Sequence, residues 1–473
     1  MKNMTLKNIA QAVGGTLYME GAAADILADS TQALGVVHDS RQVEKGFVFI
    51  ATVGERVDGH QFIDSVFEKG ALGVVCEKVP ENPKGAYILV KDSFQALKDM
   101  AEFYLSGLDV KVVGITGSVG KTSTKEFVAS VLSQGFRVQK TEGNFNNEVG
   151  LPLTVLKIRE DCEVAVLEMG ISDFGEMNRL SKIAKPDICV ITNIGQCHLE
   201  NLGTRDGILK AKSEIFDYMK ENAGICLNGD DDKLASVTEV KGVKPLFFGS
   251  DSKCDIYADN YENKGLDGSS VTIHITGKGE PAVFRADIPL PGGHMVYNAL
   301  AATAVGTLLG LDAEQIAKGI GAVEPVGGRS HIIHGERFTV IDDCYNANPV
   351  SMKAALDLLT MSDLNVSPRR VAILGDMFEL GTNEHALHAE VGRYAGNSDI
   401  HVLICVGELC KSMYEAAVSN ADDNRMKNIG QKVYYFADKD SMLCELEGIL
   451  HDRDTVLVKA SHGMHFEEVV ACL

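Results

Sequence analysis

The chain is poor in positive charge. It sets 45 Lys and Arg against 66 Asp and Glu, a formal net charge of -21. Proteins that bind a nucleic-acid backbone carry a surplus of Lys and Arg, so this balance argues against such a partner while leaving room for a local basic pocket that takes a small anion. Long apolar runs are also lacking. The longest apolar-looking segment, residues 299–311, is broken by Thr303, Gly306 and Thr307, and the N-terminal MKNMTLKNIAQAVGG has no apolar core of signal-peptide length. The eleven cysteines include no CxxC pair, and no histidines fall at zinc-finger spacing. Such scattered cysteines fit reduced, buried thiols. No internal repeat or low-complexity tract is found. The expectation is a cytoplasmic protein without a membrane span.

What is present is a globular composition, 45% apolar and 23% charged over 473 residues. A prior of about 150 residues per domain suggests roughly three domains. In residues 1–108, short apolar runs at 47–51, 72–76 and 87–90 alternate with turn residues, which reads as a small α/β domain. Residues 109–326 open with a strand, a glycine loop and a helix, and the runs 162–167 and 188–192 are apolar apart from Glu163 and Thr192 and do not alternate, as in strands covered on both faces of a parallel sheet. Residues 327–473 begin at the paired glycines Gly327 and Gly328, read as a flexible joint. Five apolar runs separated by helix-like stretches then predict a Rossmann-like doubly wound domain. The fold class is therefore α/β in three domains, the central one a P-loop mononucleotide-binding domain.

The chemistry starts at residues 114–124, GITGSVGKTST. The usual phosphate loop GxxxxGK[ST] has a glycine where this chain has Ile115. Gly114 and Gly117 are still expected to open the turn. The backbone N–H groups of Gly117, Ser118, Val119 and Gly120 then face a phosphate, Lys121 neutralises the terminal phosphates, and the hydroxyls of Thr122 and Ser123 lie at the helix start, Thr122 on a magnesium ion. Further metal ligands are expected at neighbouring strand ends. Glu168 closes one apolar run, and His198 follows the next in ITNIGQCHLENLG. By position alone the first could equally be a solvated glutamate and the second a surface residue. Lys212, in GILKAKSEIF, reads by itself as one cation on the exposed face of a helix over about residues 204–218.

Taken together, GITGSVGKTS, GNFNNEVGLP, EMG, ITNIGQCHLENLG, KAKSEIF, the HxxxN of His294 and Asn298, and DDCYNANPVS resemble the Mur ligase family, in matching order from Asp39 to the C-terminus. The DNPR motif of the diaminopimelate-adding member is absent. Folylpolyglutamate synthases share the ATP loop but lack an N-terminal block with HDSR and DGH. The resemblance implies an ATP-dependent, ADP-forming amide ligase of peptidoglycan-precursor synthesis. It would join D-alanyl-D-alanine to UDP-N-acetylmuramoyl-tripeptide through an acyl phosphate and act as a monomer. Two other readings stay open: another amide ligase of the superfamily, and a nucleotide-gated binding protein without turnover.

The same resemblance implies roles. Thr122 and Glu168 would bind a first magnesium, and His198 with Lys212 a second, Lys212 carrying a carboxylate formed with carbon dioxide. Lys121 and Arg329 would meet the γ-phosphate, Arg329 when the third domain closes. His294 and Asn298 would lie on the adenine side and Asp343 on the ribose, although Asn298 could also cap a helix and Asp343 support a turn. Ser40 and Arg41 would hold the uridine nucleotide unless DSR is a surface turn. Asn144, Asn146 and Asn147 would face the sugar-pyrophosphate, and Asn346, Lys459 and His462 the dipeptide. One departure stands out: the family's KGSR or KASR is here Lys459-Ala460-Ser461-His462. An always-charged, forked arginine is replaced by a side chain mostly neutral near pH 7.

Overall fold

The structure is a computed structural model, and it describes residues 1–19, 28–54, 57–80, 84–277, 280–419 and 430–473. The described residues form three sheets. The first is β1 (Thr16–Tyr18), β2 (Gly35–Val37), β3 (Phe47–Ile50), β4 (Gly73–Cys76) and β5 (Tyr87–Leu89), in the order β1-β5-β4-β3-β2, with only β1 antiparallel. The helix Ser93–Ser106 ties this sheet to the middle of the chain. Met100, Tyr104 and Leu105 share one apolar cluster with Leu151 and Leu156, and the Tyr104 hydroxyl donates to the Ile158 carbonyl at 2.6 Å.

The second sheet is β6 (Lys111–Thr116), β7 (Val138–Lys140), β8 (Val164–Glu168), β9 (Ile188–Ile191), β10 (Gly224–Asn228), β11 (Leu246–Gly249), β12 (Ile256–Asn263), β13 (Ser269–Ile275) and β14 (Ala282–Ile288). Its order is β14-β13-β12-β11-β10-β9-β6-β8-β7. The chain runs from β6 outward to one side through β7 and β8, then returns to the other side at β9. Ligands of such sheets bind where the order reverses, beyond the carboxyl ends of the strands. The sheet is not wholly parallel, as the continuous runs predict: β13 and β14 extend it as an antiparallel meander. The exposure of the edge strand fits this, since residues along β14 alternate between covered and open positions and one face is wet.

The third sheet holds β15 (His331–His334), β16 (Thr339–Asp342), β17 (Arg370–Gly375), β18 (Val402–Val406), β19 (Lys432–Phe436) and β20 (Thr455–Lys459), in the order β15-β16-β20-β17-β18-β19, parallel apart from β15. Successive residues feed opposite faces. Ala372 and Leu374 enter one cluster with the helices Pro349–Thr360 and Cys410–Ser419, while Val371 and Ile373 enter another with the helix Lys439–Ile449. This alternation makes the unit doubly wound.

Candidate active site

The phosphate loop sits at the end of β6, next to the strand reversal. Gly117 (φ 151°) and Gly120 (φ 79°) take conformations that side chains seldom adopt. A Cβ on Gly117 would come within 1.9 Å of the Thr192 hydroxyl. Gly114, expected to help open the turn, instead lies inside β6, where a Cβ would press on Met169 and Pro186. Ile115 is simply a buried strand residue, so the nonstandard spelling costs the loop nothing. What shapes the loop is the segment after β9. Ser118 N donates to the Asn193 carbonyl (3.0 Å), Val119 N to Asn193 Oδ1 (3.0 Å), and the Thr192 hydroxyl to the Val119 carbonyl (2.7 Å). Thr192 and Asn193 were not singled out in the sequence, although ITN follows an apolar run directly.

The loop opens into a cavity of about 920 Å³ shared between the second and third sheets. Its lining includes Ser118 to Thr124, Asn146, Asn147, Glu168, His198, His294 and Asn298 from one side, and Arg329, Asp343, Tyr345, Asn346 and Lys459 from the other. Ser40, Arg41, Asn144, Lys212 and His462 are not among the lining residues. Ser40 and Arg41 form a one-turn helix in the first sheet's domain, where Arg41 is held by Asp39 at 2.7 Å. Asn144 is exposed. Asn147 accepts from the Gly150 N–H at the start of the helix Gly150–Leu156 (2.8 Å), and Asn146 donates to Glu168 (2.8 Å).

Among the described residues, the buried lysines are Lys125, Lys212 and Lys459, and each belongs to this region. Two are compensated. Lys459 lies 2.6 Å from Asp343 and donates to the Asn346 carbonyl, and Lys125 lies 3.2 Å from Glu126 and 3.7 Å from Glu168. Lys212, expected on an exposed face, is 1% exposed on the helix Arg205–Ser213, with no hydrogen-bond or carboxylate partner among the described residues. Burial, reinforced by repulsion from Lys121, lowers its pKa to about 8. Near physiological pH the ammonium form still dominates, but an appreciable minor fraction is a neutral, nucleophilic amine, far more than for an ordinary lysine.

Glu168 is equally buried. Its Oε1 accepts from the Thr122 hydroxyl (3.2 Å) and from Asn146, while Oε2 accepts no hydrogen bond. An orphaned carboxylate oxygen beside a threonine hydroxyl is a fitting pair of ligands for a small divalent cation. The ammonium of Lys121 folds back onto the Gly117 carbonyl at 3.0 Å.

Asn298 caps nothing. It lies inside the helix His294–Leu308, one turn beyond His294, and accepts from the Thr124 hydroxyl at 2.9 Å. Asp343 accepts from the Ser330 N–H at 3.0 Å as well as from Lys459. The glycine joint is laced down by neighbouring residues: Gly328 N donates to Asp342 (2.8 Å), and Tyr345 N to the Gly328 carbonyl (3.2 Å). The joint therefore presents Arg329 firmly, its guanidinium 4.0 Å from the Tyr345 ring. His462, in the arginine's place, stacks on the same tyrosine with centroids 5.3 Å apart.

Comparison with known proteins agrees along the whole chain. Residues 33–104 match the Mur ligase family catalytic domain, residues 115–306 the Mur ligase middle domain, and residues 328–462 the Mur ligase glutamate ligase domain. The chain is 38% identical to UDP-N-acetylmuramoyl-tripeptide–D-alanyl-D-alanine ligase of Bacillus subtilis over 99% of this chain and 98% of that one. It is 31% identical to the Escherichia coli enzyme of the same name, over 100% and 99%. Among solved structures, MurF from Acinetobacter baumannii superposes with a TM-score of 0.87 at 30% identity, covering 99% of this chain and 98% of that one. MurF ligase from Thermotoga maritima in complex with ADP superposes at 0.76 with 30% identity, over 92% and 96%.

Proposed function

Because this chain belongs to the Mur ligase family, we propose that it is an ATP-dependent amide ligase of peptidoglycan-precursor synthesis, joining D-alanyl-D-alanine to UDP-N-acetylmuramoyl-tripeptide. The chemistry rests on one observation: a phosphate loop on one sheet edge and Arg329 from another sheet face a single cavity, backed by buried lysines. The acceptor follows from full-length similarity to ligases so named.

Two anions must meet in this reaction. A carboxylate oxygen of the tripeptide attacks the γ-phosphorus and ADP leaves. The dipeptide amine then attacks the acyl carbon, phosphate departs with the former carboxylate oxygen, and the amine loses its proton. Lys121 and Arg329 offset the repulsion at the start and the charge that builds during transfer. Magnesium held by Thr122 and Glu168, and a second ion held by His198 and carboxylated Lys212, would supply further positive charge there. The neutral Lys212 amine can form that carboxylate by adding to carbon dioxide with loss of a proton, which turns a repelling cation into an oxygen ligand.

His294 and Asn298 would meet the adenine, and Asp343, already oriented by Ser330 and Lys459, the ribose. Lys459, spent on Asp343, acts beneath the dipeptide site rather than on the dipeptide, and His462 supports the Tyr345 ring that carries Arg329. Asn146, Asn147 and Asn346 line the substrate side. Ser40, Arg41 and Asn144 would belong to the arm of the site that holds the uridine sugar nucleotide. We place the chain in the cytoplasm as a monomer; no described helix is long and apolar enough to cross a membrane.

An acceptor panel tests the function. With ATP, magnesium and either the lysine- or the diaminopimelate-containing tripeptide nucleotide, ADP is expected with D-alanyl-D-alanine and not with glutamate or single amino acids. ADP formed with a single amino acid would move the chain to another member of the family. ATP binding without turnover for any acceptor would leave only a nucleotide-gated binding protein.

A further inference from the structure

Two residues in seldom-used backbone conformations meet across the boundary between the second and third sheets. His198 (φ 49°) precedes the short helix Leu199–Leu202, and Glu379 (φ 61°) lies in the GDMFELG loop after β17. His198 Nδ1 is 2.8 Å from Glu379 Oε2. Left-handed backbone at non-glycine residues persists only where the surroundings enforce it, and such positions cluster at functional sites.

The surroundings do enforce it at Glu379. The two residues before it are tied down: Met377 N donates to His388 Nε2 (2.9 Å), and Phe378 N donates to the Ser461 hydroxyl (2.9 Å). Ser461 N donates in turn to the Asp376 carbonyl (3.0 Å), and Cys410 N to the Asp376 carboxylate (2.8 Å). Asp376, His388 and Cys410 lie within 4.8 Å of one another. His388 uses both ring nitrogens, Nδ1 on the Glu384 carbonyl at 2.7 Å, so this cluster braces the loop and is no ion site. The glutamate is thus delivered by a rigid, buried scaffold although its own side chain is 64% exposed. An ion pair this exposed adds little stability. Its value lies in orientation.

We propose that Glu379 is the positioning residue for His198. Its carboxylate accepts the Nδ1–H, which fixes the ring tautomer and leaves the Nε2 lone pair to face the cavity as a metal ligand. Because Glu379 rides on the domain that carries Arg329, the ligand is completed only when that domain is seated. The inference rests on the reading of His198 as a ligand of the second magnesium.

The test is manganese titration of the full chain with ADP, counting free ion by electron paramagnetic resonance, for wild type, E379A, E379Q and H198A. E379A should weaken one site by about 10–100-fold, the range for losing a partner behind a metal-bound histidine. E379Q, whose amide oxygen still accepts from Nδ1–H, should recover to within a few-fold, and both Glu379 variants should keep the wild-type melting temperature. If H198A weakens the site and E379A does not, the positioning role is overturned while the histidine reading stands. If E379A and E379Q are equally weakened, the hydrogen-bond role is overturned. If H198A binds manganese like wild type, the histidine reading falls and the proposal with it.

Discussion

Replacing Lys212 with methionine is expected to abolish ligation and, in the same variant, to raise thermal stability. The two effects have one cause. A buried lysine without a counter-ion costs folding free energy, because the unfolded chain holds its proton more tightly than the folded one does. The folded pKa is about 8 against an ordinary 10.5. Below pH 8 the penalty is fully present, and it is relieved as pH rises from about 8 to about 10.5, so wild-type stability should climb across that window. The shift corresponds to roughly 3 kcal/mol. Methionine fills similar space without charge, and at pH 7 it should raise the melting temperature by about 5–10 °C in metal-free, carbon-dioxide-free buffer. The climb with pH should vanish. Turnover should fall by about 10²–10³-fold or more, the cost of removing a group that stabilises the transition state. Calorimetry across pH, together with phosphate release, reads both. A K212M protein that ligates at the wild-type rate would end the carbamate role.

Changing Glu168 to glutamine should cost as much activity with the opposite effect on stability. The amide oxygen can still accept from Thr122 and Asn146, so the loop should keep its shape. What is lost is the charge at Oε2, the oxygen that accepts no hydrogen bond and faces Lys125 at 3.7 Å. Phosphate release at saturating ATP should drop about 10²–10³-fold. Stability should fall as well, because Lys125 loses one of two counter-ions in a buried setting. Glu126 at 3.2 Å limits the loss to less than the roughly 3–5 kcal/mol typical of breaking a buried pair outright. A variant with normal turnover at ordinary magnesium would remove Glu168 from the metal site.

The contrast between these two residues shows what a sequence can and cannot disclose. Glu168 closes the apolar run Val164–Leu167, and such a run has few solutions besides a covered parallel strand, so its place at the sheet edge was legible. So were five of the six strands of the C-terminal unit, β16 to β20, because apolar runs alternate there with helix-length stretches; β15 (His331–His334) was not. Lys212 was not legible from its own helix. Residues 205–213 are mostly polar, and nothing local reveals that neighbouring elements close over one lysine; only the family resemblance marked it. Gly114 misled because a glycine needed for close strand packing looks the same in sequence as one needed for a turn. The β13–β14 meander was missed for a different reason: its strands, SSVTIHI and AVFRADI, alternate apolar with polar residues, and only continuous apolar runs signal the strands of a covered parallel sheet. Asn193 and Glu379 act through partners far along the chain, which no local spacing reports.

The most direct test of the chemistry follows an oxygen atom. The tripeptide nucleotide is prepared with ¹⁸O in the carboxylate that receives the dipeptide, turned over with ATP and D-alanyl-D-alanine, and the released phosphate is weighed by mass spectrometry. Transfer of a phosphoryl group to that carboxylate requires one labelled oxygen in each phosphate, matched by one ADP and one extended muramoyl peptide. Unlabelled phosphate, or ADP released without the extended peptide, would contradict it.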